Sequence, residues 1–355
     1  MIDTVTLRLD EVQFKIIDPS RFSPDATRLL DPRTNLGQQG YLDSIQNHPL
    51  TGYPKLKLRR RKLPVYGTRL FLIIEFSAPK LLYGNNLFEV GDSVFSDLAC
   101  LLSSILEDMS VYTSVENIVQ AVVIKVHYSK NVILPDTAIP HTVIQLIKRS
   151  DFNARYKSMH TEYANGGDSL RYRTNEFEVI LYDKKKELLS DHSTKGLEKF
   201  LLGDFEVLRI ECRLNSRRKI ENTLNLKSTE NTFRNIFEIS QSKFVVNDTW
   251  QKLISSMHSL LSSEITLESE LVSFLLSHPR TSVQTALASC MYDQLSAKVG
   301  LQELRNIVEK TRSRQAWYTL KSRQKYYHAS NQYPKAINHI SEALEQFSLI
   351  NSNTF

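Results

Sequence analysis

The sequence predicts an α+β protein, an antiparallel sheet with flanking helices followed by an all-helical C-terminal domain. Two observations predict it. In short runs up to Leu214, apolar side chains return at every second position, the period of a half-buried strand. Beyond about residue 246 they return at helical spacing. Residues 4–9 place Val5, Leu7 and Leu9 on one face. Residues 69–77, RLFLIIEFS, form a strongly apolar strand. A helix is expected within residues 91–109, where Val94, Phe95, Leu98, Leu102, Ile105 and Met109 repeat at helical spacing. Residues 121–129, AVVIKVHYS, return to strand. Residues 151–174 are polar and contain Gly166-Gly167, which reads as a loop or short helices. Strands resume at 176–182, EFEVILY, and at 205–214, FEVLRIECRL. The segments LISSMHSLLSS, ESELVSFLLSH, SVQTALASCMYDQL and LQELRNIVEK then read as helices, punctuated by Pro279 and Gly300. The expected division is residues 1–245 for the sheet domain and 246–355 for the helical one.

With 41% apolar and 24% charged residues, the composition is that of a globular chain and excludes a disordered one. No run approaches the ~18 apolar residues of a membrane span, and the acidic, alternating opening MIDTVTLRLDEVQF is unlike a signal peptide. Cys100, Cys212 and Cys290 are far apart and form no CxxC pair, which fits free thiols in a reducing cytoplasm.

The formal net charge is +6 and its distribution is uneven. Residues 55–69, KLKLRRRKLPVYGTR, hold seven basic residues and no acid; residues 301–330 hold seven against two, interleaved with Trp317, Tyr318, Tyr326 and Tyr327. Basic side chains neutralise phosphates and aromatic faces stack on unpaired bases. Lys55, Lys57, Arg59, Arg60, Arg61 and Lys62 in the first cluster, and Arg312, Arg314, Lys321 and Arg323 in the second, are therefore candidate DNA contacts. A solvated face with core aromatics is the competing reading.

Ionisable groups in apolar strands need a partner, a ligand or a wet cleft. Glu75 interrupts RLFLIIEFS, Lys125 and His127 share a face of AVVIKVHYS, and Arg209, Glu211 and Arg213 share a face of FEVLRIECRL. If these strands are neighbours, Glu75, His127 and Glu211 converge, and two carboxylates with one imidazole suit Mg2+ or Mn2+. The alternative is an ordinary ion pair of Glu211 with Arg209 or Arg213.

In ILYDKKKEL an apolar strand ends at Tyr182 and runs into Lys184 and Lys185. A phenol ionises near pH 10; lysines and a divalent ion would stabilise the phenolate and neutralise an attacked phosphate. There is no GxxxxGK, no HExxH and no zinc-type Cys/His spacing. No histidine has Arg three residues later, as a tyrosine recombinase would; His127 and His192 have Lys there.

Five segments in order resemble the gene II-type rolling-circle replication initiators of filamentous phages and related plasmids. The chain opens Met-Ile-Asp and a short strand. EFSAPKLLYGNNLFEVGD is similar to the family's strand-to-helix stretch, with Gly84 and Asn86 in place and Asn85 where the family has histidine. IKVHYS stands where the family has Arg-Ile-Asp, so Lys125 matches the arginine and His127 the aspartate. Tyr182 falls on the nicking tyrosine. LRIECR is similar to the Arg-hydrophobic-Glu-x-Arg strand through Arg209, Glu211 and Arg213, which the resemblance adds to the candidate DNA contacts. The likeness covers roughly residues 1–220. The family is commonly grouped with His-hydrophobic-His endonucleases, yet no such pair occurs here.

What the resemblance implies is a metal-dependent, site-specific DNA endonuclease and strand transferase on a rolling-circle Rep-like sheet. Tyr182 would take the 5′ phosphate of one strand of origin DNA, leave a 3′ hydroxyl primer, and later rejoin the displaced strand. Host helicase and polymerase would be partners in the bacterial cytoplasm, and an oligomer is compatible. Two alternatives stand beside it: a non-catalytic DNA-binding regulator of copy number or transcription, and a tyrosine transposase or relaxase with Tyr172 as second tyrosine.

Overall fold

A computed structural model describes residues 1–50, 52–64, 67–135, 138–148, 156–190, 205–255, 278–324 and 335–351, with isolated positions between them. Among the described residues eleven strands are formed in chain order: β1 Ile2–Asp10, β2 Lys15–Ile16, β3 Tyr41–Gln46, β4 Lys55–Leu63, β5 Gly67–Ser77, β6 Val111–Tyr112, β7 Val122–Ile133, β8 Lys157–Glu162, β9 Asp168–Arg173, β10 Phe177–Asp183 and β11 Val207–Leu214. Nine make one sheet in the order β3-β4-β5-β1-β7-β11-β10-β9-β8, antiparallel at every pairing; β2 and β6 form a separate ribbon.

Alternation gives the sheet two unlike faces. Val5, Leu7 and Leu9 of β1, Leu70, Leu72 and Ile74 of β5, Val126 and Tyr128 of β7, and Leu208, Ile210 and Leu214 of β11 are buried in the core. Helices Phe95–Asp108, Arg217–Leu224 and Ile239–Ser255 contribute Leu98, Leu102, Ile220, Val246, Trp250 and Leu253 to the same core. The opposite face holds polar and charged side chains in cross-strand rungs. One rung is Ser169–Tyr182–Arg209–Asn131, the next Arg171–Ile180–Glu211–Ser129, and the third Arg173–Glu178–Arg213–His127–Thr4.

Three local readings are corrected. The basic run 55–62 is not one solvated patch but part of β4, so its side chains divide between faces: Lys55, Lys57, Arg59 and Arg61 lie on the polar face. Arg60 points the other way and is 1% exposed, donating through Nε to Leu29 O and through Nη2 to Leu30 O at 3.4 Å. It is not available to DNA. Within 151–174, the described residues form the β8–β9 hairpin rather than a loop or helices, with Gly166 at φ 77° in its turn; the polar sequence reflects β8 lying at the sheet edge, exposed along most of its length.

In the C-terminal region the helices Val283–Val299, Leu301–Thr311 and Arg314–Gln324 share a small core of Tyr292, Leu301, Leu304 and Trp317. Trp317 is fully buried there and offers no stacking face. The last helix, Lys335–Gln346, returns to the main core through Ile337, Ile340 and Leu344. It is bolted to helix Ile239–Ser255 by Trp250 Nε1 donating to Ser341 Oγ at 2.9 Å. The expected boundary at 245 falls inside helix Ile239–Ser255. The expected helix at 253–263 lies largely outside the described residues, as do Tyr326, Tyr327 and His192, whereas in the one expected at 268–278 residues 271–272 and 274–276 are helical. Among the described residues, no helix is long and apolar enough to cross a membrane.

Candidate active site

The site lies on the polar face where β10 and β11 meet β7 and β1. A register shift on β1 between Ile2 and Thr4 leaves Asp3 outside the pairing. Its carboxylate instead reaches 2.6 Å from Arg209 Nη2. Strand β10 ends at Asp183, whose carboxylate accepts from Lys186 N at 2.8 Å and so holds the first turn of helix Lys184–Ser190. A second buttress is Gly167, where a Cβ would overlap Lys186 Cβ, so the β8–β9 turn packs directly on that helix.

After β5 the chain forms helix Ala78–Tyr83, capped by Gly84 at φ 71°. Asn85 Oδ1 accepts from Leu87 N at 3.0 Å and Phe88 N at 3.1 Å, folding a tight loop. Leu87 then packs with Leu188 and Val207, which seats the loop over the polar face. This delivers Asn86 to the site, its backbone O accepting from Arg209 Nη1 at 2.6 Å and its Oδ1 from Lys184 Nζ at 2.8 Å.

Tyr182 is 8% exposed and its hydroxyl lies 3.5 Å from Glu211 Oε2. Burial pushes this phenol well above its ordinary range, Arg209 opposing and Glu211 adding to the shift. Lys184 is fully buried, with Nζ 5.8 Å from the Tyr182 ring centroid and 2.7 Å from Glu187 Oε2. Burial and the neighbouring Arg209 lower its pKa to about 8 against the pull of Glu187. Lys185 points elsewhere, donating to Gly203 O at 3.0 Å and pairing with Glu206 at 3.6 Å, so the expected second lysine does not meet Tyr182.

Glu211 is the hub. Its Oε1 accepts from Arg213 Nε at 2.7 Å and lies 3.4 Å from His127 Nδ1, while Oε2 lies 4.0 Å from Arg209 Nε. Burial holds His127 below the ordinary imidazole value, with Glu211 opposing, which keeps the ring neutral and able to ligate. Arg209 is 2% exposed and also donates to Ser129 Oγ at 2.8 Å. Burial disfavours its charge, yet Tyr182, Asp3 and Glu211 around it outweigh that cost and raise its pKa. Arg209 is therefore buried within the site, not exposed on the open surface of the sheet. Arg213, more exposed, also approaches Glu178 at 3.7 Å.

Of the three expected metal ligands, Glu211 and His127 meet and Glu75 does not. Glu75 lies on β5, beyond β1, exposed and accepting from Thr6 Oγ1 at 3.4 Å. Asp3 takes its place: ligand atoms of Asp3, His127 and Glu211 lie within 4.8 Å of one another. Asp3 Oδ1 is buried against Arg209 Nη2, 2.6 Å away, and its Oδ2 accepts from Thr4 Oγ1 at 3.0 Å. Two buried carboxylates and a neutral imidazole gathered this closely are a donor set that fits a divalent cation such as Mg2+ or Mn2+. An acid in phase with Val5, Leu7 and Leu9 was the available signal for Asp3; Glu75 interrupts a more apolar strand, and strand order and register separate the two. A second group, His160, Glu162 and Asp168, lies at the β8–β9 edge, where Asp168 is already engaged by His160 at 3.1 Å, Gln145 at 3.5 Å and His141.

The remaining expected residues are dispersed. Lys62 is exposed near the end of β4, Arg312 is exposed in the turn after helix Leu301–Thr311, and Arg314 is exposed at the start of the next helix, over the Tyr318 ring at 5.9 Å. Lys321 is half-buried in helix Arg314–Gln324, and the side chain of Arg323 lies outside the described residues. Tyr172 faces the core and donates to Ile147 O at 3.2 Å, so it is no partner for Tyr182. No protein-family model, no curated protein and no solved structure matches the chain.

Proposed function

We propose that this chain is a DNA-nicking and strand-joining enzyme, an initiator of rolling-circle replication of the gene II type acting on origin DNA. The observation that carries the reading is the Tyr182 hydroxyl against Glu211, flanked by Arg209 and Lys184, on a sheet face otherwise rich in arginine and lysine.

In the proposed step the Tyr182 oxygen attacks a backbone phosphorus. A tyrosyl O–P bond forms and the P–O3′ bond breaks, leaving a 5′ phosphate on the enzyme and a 3′ hydroxyl on the other fragment. Glu211 Oε2 is placed to take the phenolic proton, which the departing 3′ oxygen recovers. Arg209 and Lys184 offset the negative charge that grows on the phosphate oxygens. A divalent ion held by Asp3, His127 and Glu211 would polarise the phosphate. Rejoining runs the same step backward with a new 3′ hydroxyl.

The burial of Tyr182 favours a second reading, a DNA-binding regulator that uses the same face without chemistry. A trapping experiment separates them. An oligonucleotide spanning the nick sequence, incubated with protein and Mn2+, yields a covalent adduct whose mass maps to the peptide containing Tyr182 if the enzyme reading holds. Binding with no adduct under any divalent ion supports the regulator.

A further inference from the structure

The far end of the same sheet face carries a second constellation, nine residues of β7 (Val122 to Asn131) away from the Tyr182 rung. At strand rise that is on the order of 30 Å. There Arg61 of β4 and Arg69 of β5 stand directly opposite one another, both exposed, and neither has an ion pair or hydrogen bond among the described residues. Like charges directly opposite are destabilising unless an anion sits between them. Beside them Arg8 of β1 lies 5.0 Å from the Phe71 ring centroid, its Nε 3.4 Å from Asp10 Oδ1. Arg8, Arg61, Arg69 and Phe71 line one cleft of about 500 Å³. The acids lining it are engaged: Asp10 with Arg8 at 3.4 Å, and Glu11 with Arg60 at 3.4 Å and with Leu70 N at 3.4 Å.

We infer that this cleft is a binding subsite for single-stranded DNA, with Arg8, Arg61 and Arg69 cradling phosphate and Phe71 supplying a platform for an unpaired base. The inference rests on the nicking proposal for its biological substrate and deepens it by naming the form of DNA. A duplex offers the cleft phosphates but keeps its bases stacked inside, whereas a single strand can place a base on the Phe71–Arg8 floor.

The test is a fluorescence-anisotropy titration of a labelled oligonucleotide, as single strand and as duplex, with wild type, Arg61→Gln/Arg69→Gln and Phe71→Leu. The single strand should bind wild type about tenfold or more tightly than the duplex. The double arginine variant should lose about tenfold or more. Its slope of log affinity against log salt should fall by about 1.4, at ~0.7 per phosphate contact on a single strand. Phe71→Leu should lose about tenfold. Removing two opposed charges should leave the melting temperature unchanged or raised, and each single arginine substitution carries the same test should the pair fail to fold. Unchanged affinity and salt slope in the arginine variants, equal affinity for the duplex, or tighter binding of the matching RNA strand would overturn the inference. Nicking by wild type is scored separately. Nicking with an inert cleft removes the subsite alone, and a strand-binding cleft without nicking removes the enzyme reading alone.

Discussion

The Tyr182 hydroxyl lies 3.5 Å from Glu211 Oε2, on neighbouring antiparallel strands and one rung apart. Both side chains are buried, and a second oxygen of the same carboxylate accepts from Arg213 at 2.7 Å. One carboxylate thus faces the Tyr182 hydroxyl, an arginine and an imidazole together. Glu211→Gln keeps the shape but removes the proton acceptor, so nicking should fall by about 10²-fold or more with DNA binding retained. The same change leaves Arg209 and Arg213 short of a buried counter-charge, so urea denaturation should show a loss on the order of 3 kcal/mol.

Lys184 predicts a pH profile. Its pKa is lowered to about 8, so it is charged below that value and neutral above it. If its charge supports the attack, nicking declines as pH rises through about 8. Lys184→Arg, protonated throughout, should remove that decline; a profile unaltered by the arginine would assign it to another group.

The donor set predicts a metal response. Mn2+ should raise the melting temperature of the wild type by binding the folded state, and Asp3→Asn should abolish most of that shift, because Asp3 supplies one of the two carboxylates of the donor set. Glu75→Gln should leave the shift intact, since Glu75 stands on β5 beyond β1.

Arg60 and Arg61 are adjacent in sequence and opposite in role. Arg60→Ala should lower stability by about 2–3 kcal/mol, measured in urea, by leaving the Leu29 and Leu30 carbonyls without a charged donor. Its effect on DNA affinity should be small.

The strands of the sheet centre were legible because alternation is local. Val5, Leu7 and Leu9, or Leu208, Ile210 and Leu214, declare their face without knowledge of any partner. Glu211 and His127 could be paired for the same reason, each an ionisable group on the polar side of an apolar strand. What failed depended on strand order and register, which are set by distant segments. Glu75 was expected as a ligand and Asp3 was not, yet the order β5-β1-β7 placed Glu75 beyond reach and a register shift left Asp3 unpaired beside Arg209. Arg209 and Trp317 looked like surface groups because charge and aromaticity are visible in sequence while burial is not. The β8–β9 hairpin was missed because an exposed edge strand has no apolar stripe to announce it.

The most direct test of the account is relaxation of supercoiled DNA carrying the cognate origin, with Mg2+ or Mn2+, by wild type and Tyr182→Phe, with binding of the same DNA measured alongside. The account predicts open circles from wild type with protein covalently on the 5′ end, and equal binding but no nicking from Tyr182→Phe. Nicking by both proteins would contradict the role of Tyr182, and tight binding without nicking by either would contradict the chemistry itself.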